Sequence, residues 1–476
     1  MAGVRTLKTG ISGVRGVVGD SLTPGLIVRF AQAFGTYLKG GRVGLGRDTR
    51  PSGEMVRSAL IGGLLSAGCE VRDFGVVPVS TLLIAVARHD LDGGVAITAS
   101  HNPQEWNALK FVRSDGVFLY PYQAEELLNI YHQGEFTLQP SEQVGTLLPG
   151  SGALEEHLDL VVHHTDVEAV RAAGLRVVVD CCNGAGAMLA PRLLEALGCR
   201  EVLVINGEPN GLFAHKPEPI PAHLAGLCQA VKEFGADLGL AQDADADRLA
   251  LVTEQGVAVS EEFTLALAAE AVALRRAPVP IVANLSTSRM IDEVAQRYGC
   301  FVRRTPVGEI NVVEAMRQEE AKFRAAGLTD ERDWVFGGEG NGGVIDPIVH
   351  YCRDSHRAMG LILEGLARSG KPMSAWIADS FSPSAMLKLK VRCPVSKVQQ
   401  IMLAVTEHYA DRGHLDATEG VRVLWPDRSW LHVRPSNTEP VMRVVAEADT
   451  DEAARALATE AEAVITGVLN NGRAGA

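Results

Sequence analysis

The arrangement that most constrains this chain occurs three times: an apolar strand-like run, a helical stretch, then Gly-Cys ahead of the next segment. Val43 to Asp48 (VGLGRD) leads to Ala67-Gly68-Cys69-Glu70-Val71, and Val177 to Asp180 (VVVD) leads to Leu197-Gly198-Cys199. Ile281 to Asn284 (IVAN) leads to Tyr298-Gly299-Cys300-Phe301-Val302. Neighbouring parallel strands need a crossover, usually a helix, so each copy reads as a βαβ unit. Each Gly falls where a left-handed residue would end the helix before the second strand. A threefold internal repeat in an α/β protein is the expectation.

The chain has 476 residues, which at about 150 per domain suggests three domains. The segment after Lys371 departs from the repeat. It reads as a strand (Met386 to Val391), a helix (Val395 to Arg412), strands through Val421 to Glu447 and a final helix (Thr450 to Leu469). That is a smaller α+β domain, so four domains fit better. Breaking residues at Pro149-Gly150-Ser151-Gly152, Gln255-Gly256 and Ser369-Gly370-Lys371-Pro372 mark the seams. They divide the chain into 1–150, 151–256, 257–370 and 371–476.

Lys plus Arg number 45 against 58 Asp plus Glu, a formal charge of −13. That balance argues against nucleic acid or an anionic membrane as partner. No apolar run approaches the about 18 residues that span a bilayer, and the first residues lack the apolar core of a signal peptide. A cytoplasmic location is expected. The eight cysteines include no C-x-x-C pair, so reduced, mostly buried thiols are expected.

Four segments could carry chemistry. Asp243-Ala244-Asp245-Ala246-Asp247-Arg248 lies between the apolar runs Leu238-Gly239-Leu240 and Leu249 to Val252. On an extended segment its carboxylates at i, i+2 and i+4 share one side and suit a hard cation such as Mg²⁺. An EF-hand loop would share that spacing, but Arg248 stands where such a loop needs Gly and the flanks read as strands. Thr98-Ala99-Ser100-His101-Asn102-Pro103 follows the strand-like Gly94 to Ile97, the place where open α/β sheets put their chemistry. His101 could donate to the Ser100 oxygen. No G-x-S-x-G elbow or Walker sequence is present. Asn183-Gly184-Ala185-Gly186 has Leu189 where a dinucleotide fingerprint needs its third Gly.

Gly337-Gly338-Glu339-Gly340-Asn341-Gly342-Gly343 sets an acceptor and an amide among glycines, which suits sugar hydroxyls. Arg434-Pro435-Ser436-Asn437-Thr438-Glu439-Pro440, with Arg443 beyond, could clamp a phosphate. Singly, each of these segments could be a turn.

Together and in this order, the four segments resemble the α-D-phosphohexomutase superfamily of phosphoglucomutases, phosphomannomutases and phosphoglucosamine mutases. Further matches are Ser12-Gly13-Val14-Arg15-Gly16, Asn107 with Lys110, Pro209-Asn210-Gly211 with Phe213 and His215, and Thr305-Pro306-Val307-Gly308. The resemblance covers essentially the whole chain. It implies three related mixed α/β domains and a C-terminal α+β domain of the TATA-binding-protein-like class around a central cleft. In chain order these would carry the phosphoserine, the metal, sugar recognition and the phosphate clamp.

The resemblance further implies a phosphorylated Ser100 and one Mg²⁺ held by Ser100, Asp243, Asp245 and Asp247. His101, Lys110 and Arg15 would stand at the reacting group. Arg248, Gly308, Glu339, Asn341, Arg434, Ser436, Asn437, Thr438 and Arg443 would bind substrate. The expected reaction interconverts hexose 1-phosphate and hexose 6-phosphate through a hexose 1,6-bisphosphate, which turns over within the cleft and also serves as activator. A non-catalytic sugar-phosphate binder and a phosphatase using the same serine are the competing readings. The expected partners are small sugar phosphates, with no nucleic acid and no membrane, and the chain is expected as a monomer or homodimer.

This sequence departs from common patterns of the superfamily at three places. Asn341 stands where many members have Ser, Gly343 where several bacterial members have His, and Ala108 where Gly is frequent. The GEGNGG loop resembles archaeal-type phosphoglucosamine or phosphoglucomutase-like members, which leans the substrate toward glucosamine phosphate.

Overall fold

The computed structural model describes residues 7–10, 13–327, 335–436 and 440–471. The chain forms two compact units, one of residues 1–272 with 341–376 and the other of residues 273–340 with 377–476.

In the first unit a seven-stranded sheet is built from β1 (Lys8–Gly10), β2 (Gly13–Val17), β3 (Arg42–Arg47), β4 (Glu70–Val76), β5 (Gly93–Ile97), β6 (Trp106–Arg113) and β7 (Leu147–Pro149). Its spatial order is β1-β2-β6-β5-β3-β4-β7. A four-stranded sheet follows from β8 (Arg176–Asp180), β9 (Glu201–Ile205), β10 (Leu238–Gln242) and β11 (Leu249–Thr253), in the order β11-β10-β8-β9. In the second unit β12 (Pro280–Asn284) lies between β13 (Phe301–Thr305) and β14 (Phe336–Glu339). The short β15 (Gly343–Ile345) belongs to the first unit.

The threefold repeat is present. β3 with β4, β8 with β9, and β12 with β13 are parallel pairs, each joined by a helix: Gly53–Ser66, Ala190–Ala196 and Met290–Tyr298. Gly68, Gly198 and Gly299 all have positive φ, at 83°, 89° and 68°, a backbone conformation open to Gly at little cost. The central strands β5, β8, β10 and β12 are almost wholly buried, so their uninterrupted apolar character reflects layers covered on both faces.

The C-terminal region is a five-stranded antiparallel sheet of β16 (Ala385–Arg392), β17 (His414–Asp416), β18 (Val421–Leu424), β19 (Trp430–Pro435) and β20 (Val441–Ala448), ordered β16-β20-β19-β18-β17. The helix expected over 395–412 is instead a single 3-10 turn, Val395–Lys397, followed by an α-helix over Val398–Tyr409. The helices Val398–Tyr409 and Asp451–Asn471 bury Ile401, Val405, Ala458 and Ile465 against Val423, Leu431 and Val444 of the sheet. Among the described residues no helix is long and apolar enough to cross a membrane, and no disulfide joins any of the eight cysteines.

One helix contact in the first unit admits no side chain. A Cβ on Gly63, in Gly53–Ser66, would lie 2.5 Å from Ala31 Cβ and 2.7 Å from the Val28 carbonyl oxygen in Pro24–Tyr37. Alanine normally gains about 1 kcal/mol over glycine inside a helix. Overpacking costs about 1–3 kcal/mol and should win here, so Gly63→Ala is expected to lower the urea unfolding midpoint. An unchanged or raised midpoint would contradict this packing.

Candidate functional site

The β5 strand ends at Ile97, and the chain then bends so that Ser100 takes φ 49°, a left-handed conformation uncommon outside Gly. Three donor groups hold this bend. The Ser100 N–H donates to Thr98 Oγ1 at 3.0 Å, the Thr98 hydroxyl donates to Asp245 Oδ2 at 3.0 Å, and the Arg50 guanidinium donates to the carbonyls of Ser100 (2.6 Å), Asn102 (2.7 Å) and Pro103 (2.6 Å). The bend places the Ser100 hydroxyl 3.0 Å from Asp243 Oδ2, to which it donates.

The acidic segment was expected to be extended, and the structure corrects this. Residues 243–248 form a curled turn between antiparallel β10 and β11, with Ala246 at φ 58°. Asp243 Oδ1 accepts from the backbone N–H of Asp247 (3.0 Å) and Arg248 (3.2 Å), which closes the turn. The three carboxylates therefore converge because the backbone wraps around Asp243, not because alternate residues share a strand face. Their ligand atoms lie within 4.8 Å of one another.

All three carboxylates are buried. Burial and then the charges of Asp245 and Asp247 push Asp243 well above the ordinary carboxylate range. Burial works the same way on Asp245, but Lys110 leads the opposing charges and holds it below that range. Lys110 Nζ lies 3.0 Å from Asp245 Oδ2, and Arg353 Nη2 lies 2.5 Å from Asp247 Oδ2. Asp245 Oδ1 and Asp247 Oδ1 are buried without a hydrogen-bond partner among the described residues. Unpartnered buried oxygens are costly, and a hard divalent cation is the partner an all-oxygen set suits. The residues fit Mg²⁺.

The remaining expected residues of this unit lie around the same loop. Arg248 Nε stands 3.7 Å from Asp247 Oδ1 and 4.0 Å from Asp243 Oδ2. His101 Nδ1 is 3.5 Å from Ser100 Oγ. Arg248 foremost, with burial and Arg15, holds the His101 imidazole well below its usual value, so it is neutral. Arg15 reaches the loop through Asn102 Oδ1 at 2.7 Å. Asn341 caps its own turn, its Oδ1 accepting from the Gly343 N–H at 3.1 Å.

In the second unit, Glu339 Oε1 accepts from the Gly308 N–H (3.1 Å) and from Asn284 Nδ2 (2.9 Å). Glu419 accepts from the Val307 N–H (2.6 Å) and lies 3.4 Å from Arg434 Nη1. The structure thus joins the Gly308 turn to both Glu339 and the Arg434 strand. Across the sheet, Arg434 pairs with Arg443 and Arg443 with Lys390, so three cations stand in a row on adjacent strands. Like charges directly opposite are destabilising, and an anion bound over them would relieve that repulsion. Arg443 also approaches Ser436 Oγ at 3.5 Å. Asn437 and Thr438 lie outside the described residues.

Sequence reasoning quoted Thr98 without giving it a role and missed Arg50, Arg353, Glu419 and Lys390, because the partners of all five lie far away in the chain. It did note His215, which sits against Asp180 (3.1 Å) and donates from its other ring nitrogen to the Lys216 carbonyl (2.8 Å). Burial opposes the charged imidazole, but the Asp180 hydrogen bond leads the effects that raise it from 6.5 to about 11. A raised histidine stabilises fully below its unfolded value and loses that contribution as pH climbs through the folded one. The stability advantage of the wild type over His215→Gln should therefore shrink between pH 6.5 and about 11, as measured by urea unfolding across that range. A pH-independent difference would contradict the ion pair.

Four successive stretches match the domain profiles of phosphoglucomutase/phosphomannomutase: α/β/α domain I over 6–138, domain II over 155–256, domain III over 260–383 and the C-terminal domain over 390–464. The chain is 39% identical over 457 residues to a probable phosphoglucosamine mutase of Methanopyrus kandleri, covering 95% of this chain and 96% of that protein. It is 36% identical over 453 residues to a phosphoglucomutase/phosphomannomutase of Thermococcus kodakarensis, covering 94% and 95%. A crystal structure of a phosphoglucomutase/phosphomannomutase family protein from Burkholderia thailandensis superposes with TM-score 0.80 at 25% identity, covering 98% of each chain.

Proposed function

Because the chain belongs to the phosphoglucomutase/phosphomannomutase family and is a phosphohexomutase, we propose that it interconverts the 1- and 6-phosphates of a hexose through a phosphorylated Ser100. Glucosamine phosphate is the preferred substrate in this reading, in line with the relative from Methanopyrus kandleri. One observation carries the assignment: the Ser100 hydroxyl lies 3.0 Å from Asp243 Oδ2, beside two buried carboxylate oxygens that lack partners.

The phosphoryl group passes from Ser100 Oγ to the free hydroxyl of the sugar phosphate. The P–Oγ bond breaks, a P–O bond to the sugar forms, and the proton lost by the sugar hydroxyl is balanced by the one that Ser100 gains. The resulting hexose 1,6-bisphosphate returns its other phosphate to Ser100, which completes the isomerisation. Asp243, Asp245 and Asp247 would hold Mg²⁺, which when bound offsets charge on the transferring phosphoryl oxygens.

The other residues work on charge and orientation. Lys110, paired with Asp245, stands beside the reacting group, and Arg248 lies on the other side of the acidic turn against Asp247. Neutral His101 is close enough to orient the Ser100 oxygen. Glu339 receives sugar hydroxyls, and the Arg434, Arg443 and Lys390 row with Ser436 binds the phosphate that is not reacting.

The test is incubation with ³²P-labelled glucose 1,6-bisphosphate, mapping of the label, and rates on glucosamine 6-phosphate, glucose 1-phosphate and mannose 1-phosphate. Label on Ser100 with isomer formation is expected, fastest for the amino sugar. Unlabelled protein would end the phosphoserine reading, and faster turnover of either neutral sugar would overturn the substrate preference. Release of free phosphate in step with substrate loss would instead identify a phosphatase.

A further inference from the structure

Arg353 contacts the acidic turn and belongs to none of the motifs. Its Nη2 takes Asp247 Oδ2 at 2.5 Å, and its side chain is 10% exposed. The path to Asp247 runs over Gly343: a Cβ at that position would lie 2.4 Å from Arg353 Cδ and 3.0 Å from Cγ. Gly343 is not at a positive φ, so the missing side chain leaves room and does not serve backbone freedom. The backbone around Arg353 is firmly held. The Asp354 N–H donates to Val344 O (2.9 Å), Asp354 Oδ2 pairs with His157 Nε2 (2.8 Å), and the Ser355 hydroxyl donates to Ala246 O inside the acidic turn (2.6 Å).

The contact follows a pattern across the three aspartates. Asp243 Oδ1 is taken by two backbone N–H groups, Asp245 Oδ2 by Lys110 and Thr98, and Asp247 Oδ2 by Arg353. Each carboxylate is left with one oxygen: Asp243 Oδ2 toward Ser100, and the buried, unpartnered Oδ1 of Asp245 and of Asp247. Arg248 Nε, 3.7 Å from Asp247 Oδ1, stands outside hydrogen-bond reach. Ca²⁺ accepts carboxylates through both oxygens at high coordination number, whereas Mg²⁺ requires a near-octahedral shell and takes them singly.

We propose that Arg353, admitted by the bare Gly343, is a metal-specificity residue: by occupying Asp247 Oδ2 it limits that carboxylate to one oxygen and so favours Mg²⁺ over Ca²⁺. The inference rests on the reading of the acidic turn as the metal site. Removing one positive charge strengthens the binding of both ions together, so the ratio of their affinities isolates the geometry.

Mg²⁺ and Ca²⁺ dissociation constants are measured by calorimetry on the full-length, dephosphorylated, metal-free chain. Arg353→Met is expected to shift the affinity ratio about tenfold toward Ca²⁺, the lower end of the effect of losing a group that orients a ligand. Arg353→Lys keeps a donor on Asp247 and should stay nearer the wild type. Gly343→Ala, which pushes Arg353 aside, should move the ratio in the same direction. In the double variant Arg353→Met/Gly343→Ala the shift should be no larger than in Arg353→Met alone, because both changes act on one contact. Should Arg353→Met fail to fold, Arg353→Lys and Gly343→Ala carry the test. Wild-type binding together with an unchanged ratio in the variants overturns the proposal and leaves the metal reading intact. A wild type that binds neither ion removes both.

Discussion

Ser100→Ala is expected to lower mutase turnover by about four to six orders of magnitude, the range seen when a covalent nucleophile is deleted, while the protein stays folded. The Ser100 hydroxyl makes one strong contact, to Asp243 Oδ2, and a weaker one to His101. Losing a hydrogen bond of this kind costs about 1 kcal/mol, a fraction of the stability of an ordinary domain. The contacts that hold the loop, from the Ser100 N–H to Thr98 and from Arg50 to the Ser100 carbonyl, are made by backbone atoms and survive the change. Coupled assays at saturating bisphosphate, with circular dichroism for the fold, decide the matter. Turnover within tenfold of the wild type would refute the covalent route. Sugar-phosphate binding should persist in the variant, because the proposed binding groups lie elsewhere.

The largest loss of stability is expected at Arg50. Its guanidinium is wholly buried and all five of its N–H donors are used: Nε on Asp48, Nη1 on Pro103 O and Trp106 O, and Nη2 on Ser100 O and Asn102 O. Asp48 beside it is itself completely buried, and burial pushes its carboxyl upward against the influence of Arg50. Arg50→Met would strand that acid and four backbone carbonyls together. Breaking a buried pair in this way costs about 3–5 kcal/mol, comparable to the total stability of a marginal domain. Denaturant unfolding should show the loss, and activity should fall with it because the Ser100 loop is no longer held. Arg50→Lys should recover little, since an ammonium offers three donors and cannot match the planar fork. Arg50→Met combined with Asp48→Asn should recover part of the stability, because no charge is then left unpaired. An unfolding midpoint for Arg50→Met equal to that of the wild type would contradict this account.

Much of the site was legible because its central residues are contiguous. Thr98 to Pro103 and Asp243 to Arg248 are short segments whose residue types restrict the chemistry, and both occupy strand ends as expected. The repeat was legible for a similar reason, since helices are often closed by a residue at positive φ, and Gly68, Gly198 and Gly299 do so. The geometry within the acidic segment was not. Even spacing suggested a strand face, whereas the hydrogen bonds from Asp247 and Arg248 back to Asp243 curl the chain into a turn.

Spacing along the chain by itself determined the strand–helix–strand units, the composition of the acidic turn and the position of Ser100 at a strand end, because these depend on backbone preferences and neighbours only a few residues apart. Tertiary structure alone decided which cations reach those groups. Arg50 grips a loop 50 residues ahead of it and Arg353 an aspartate 106 residues behind it. Such contacts follow from strand order and helix packing, which bring together side chains that no local pattern connects.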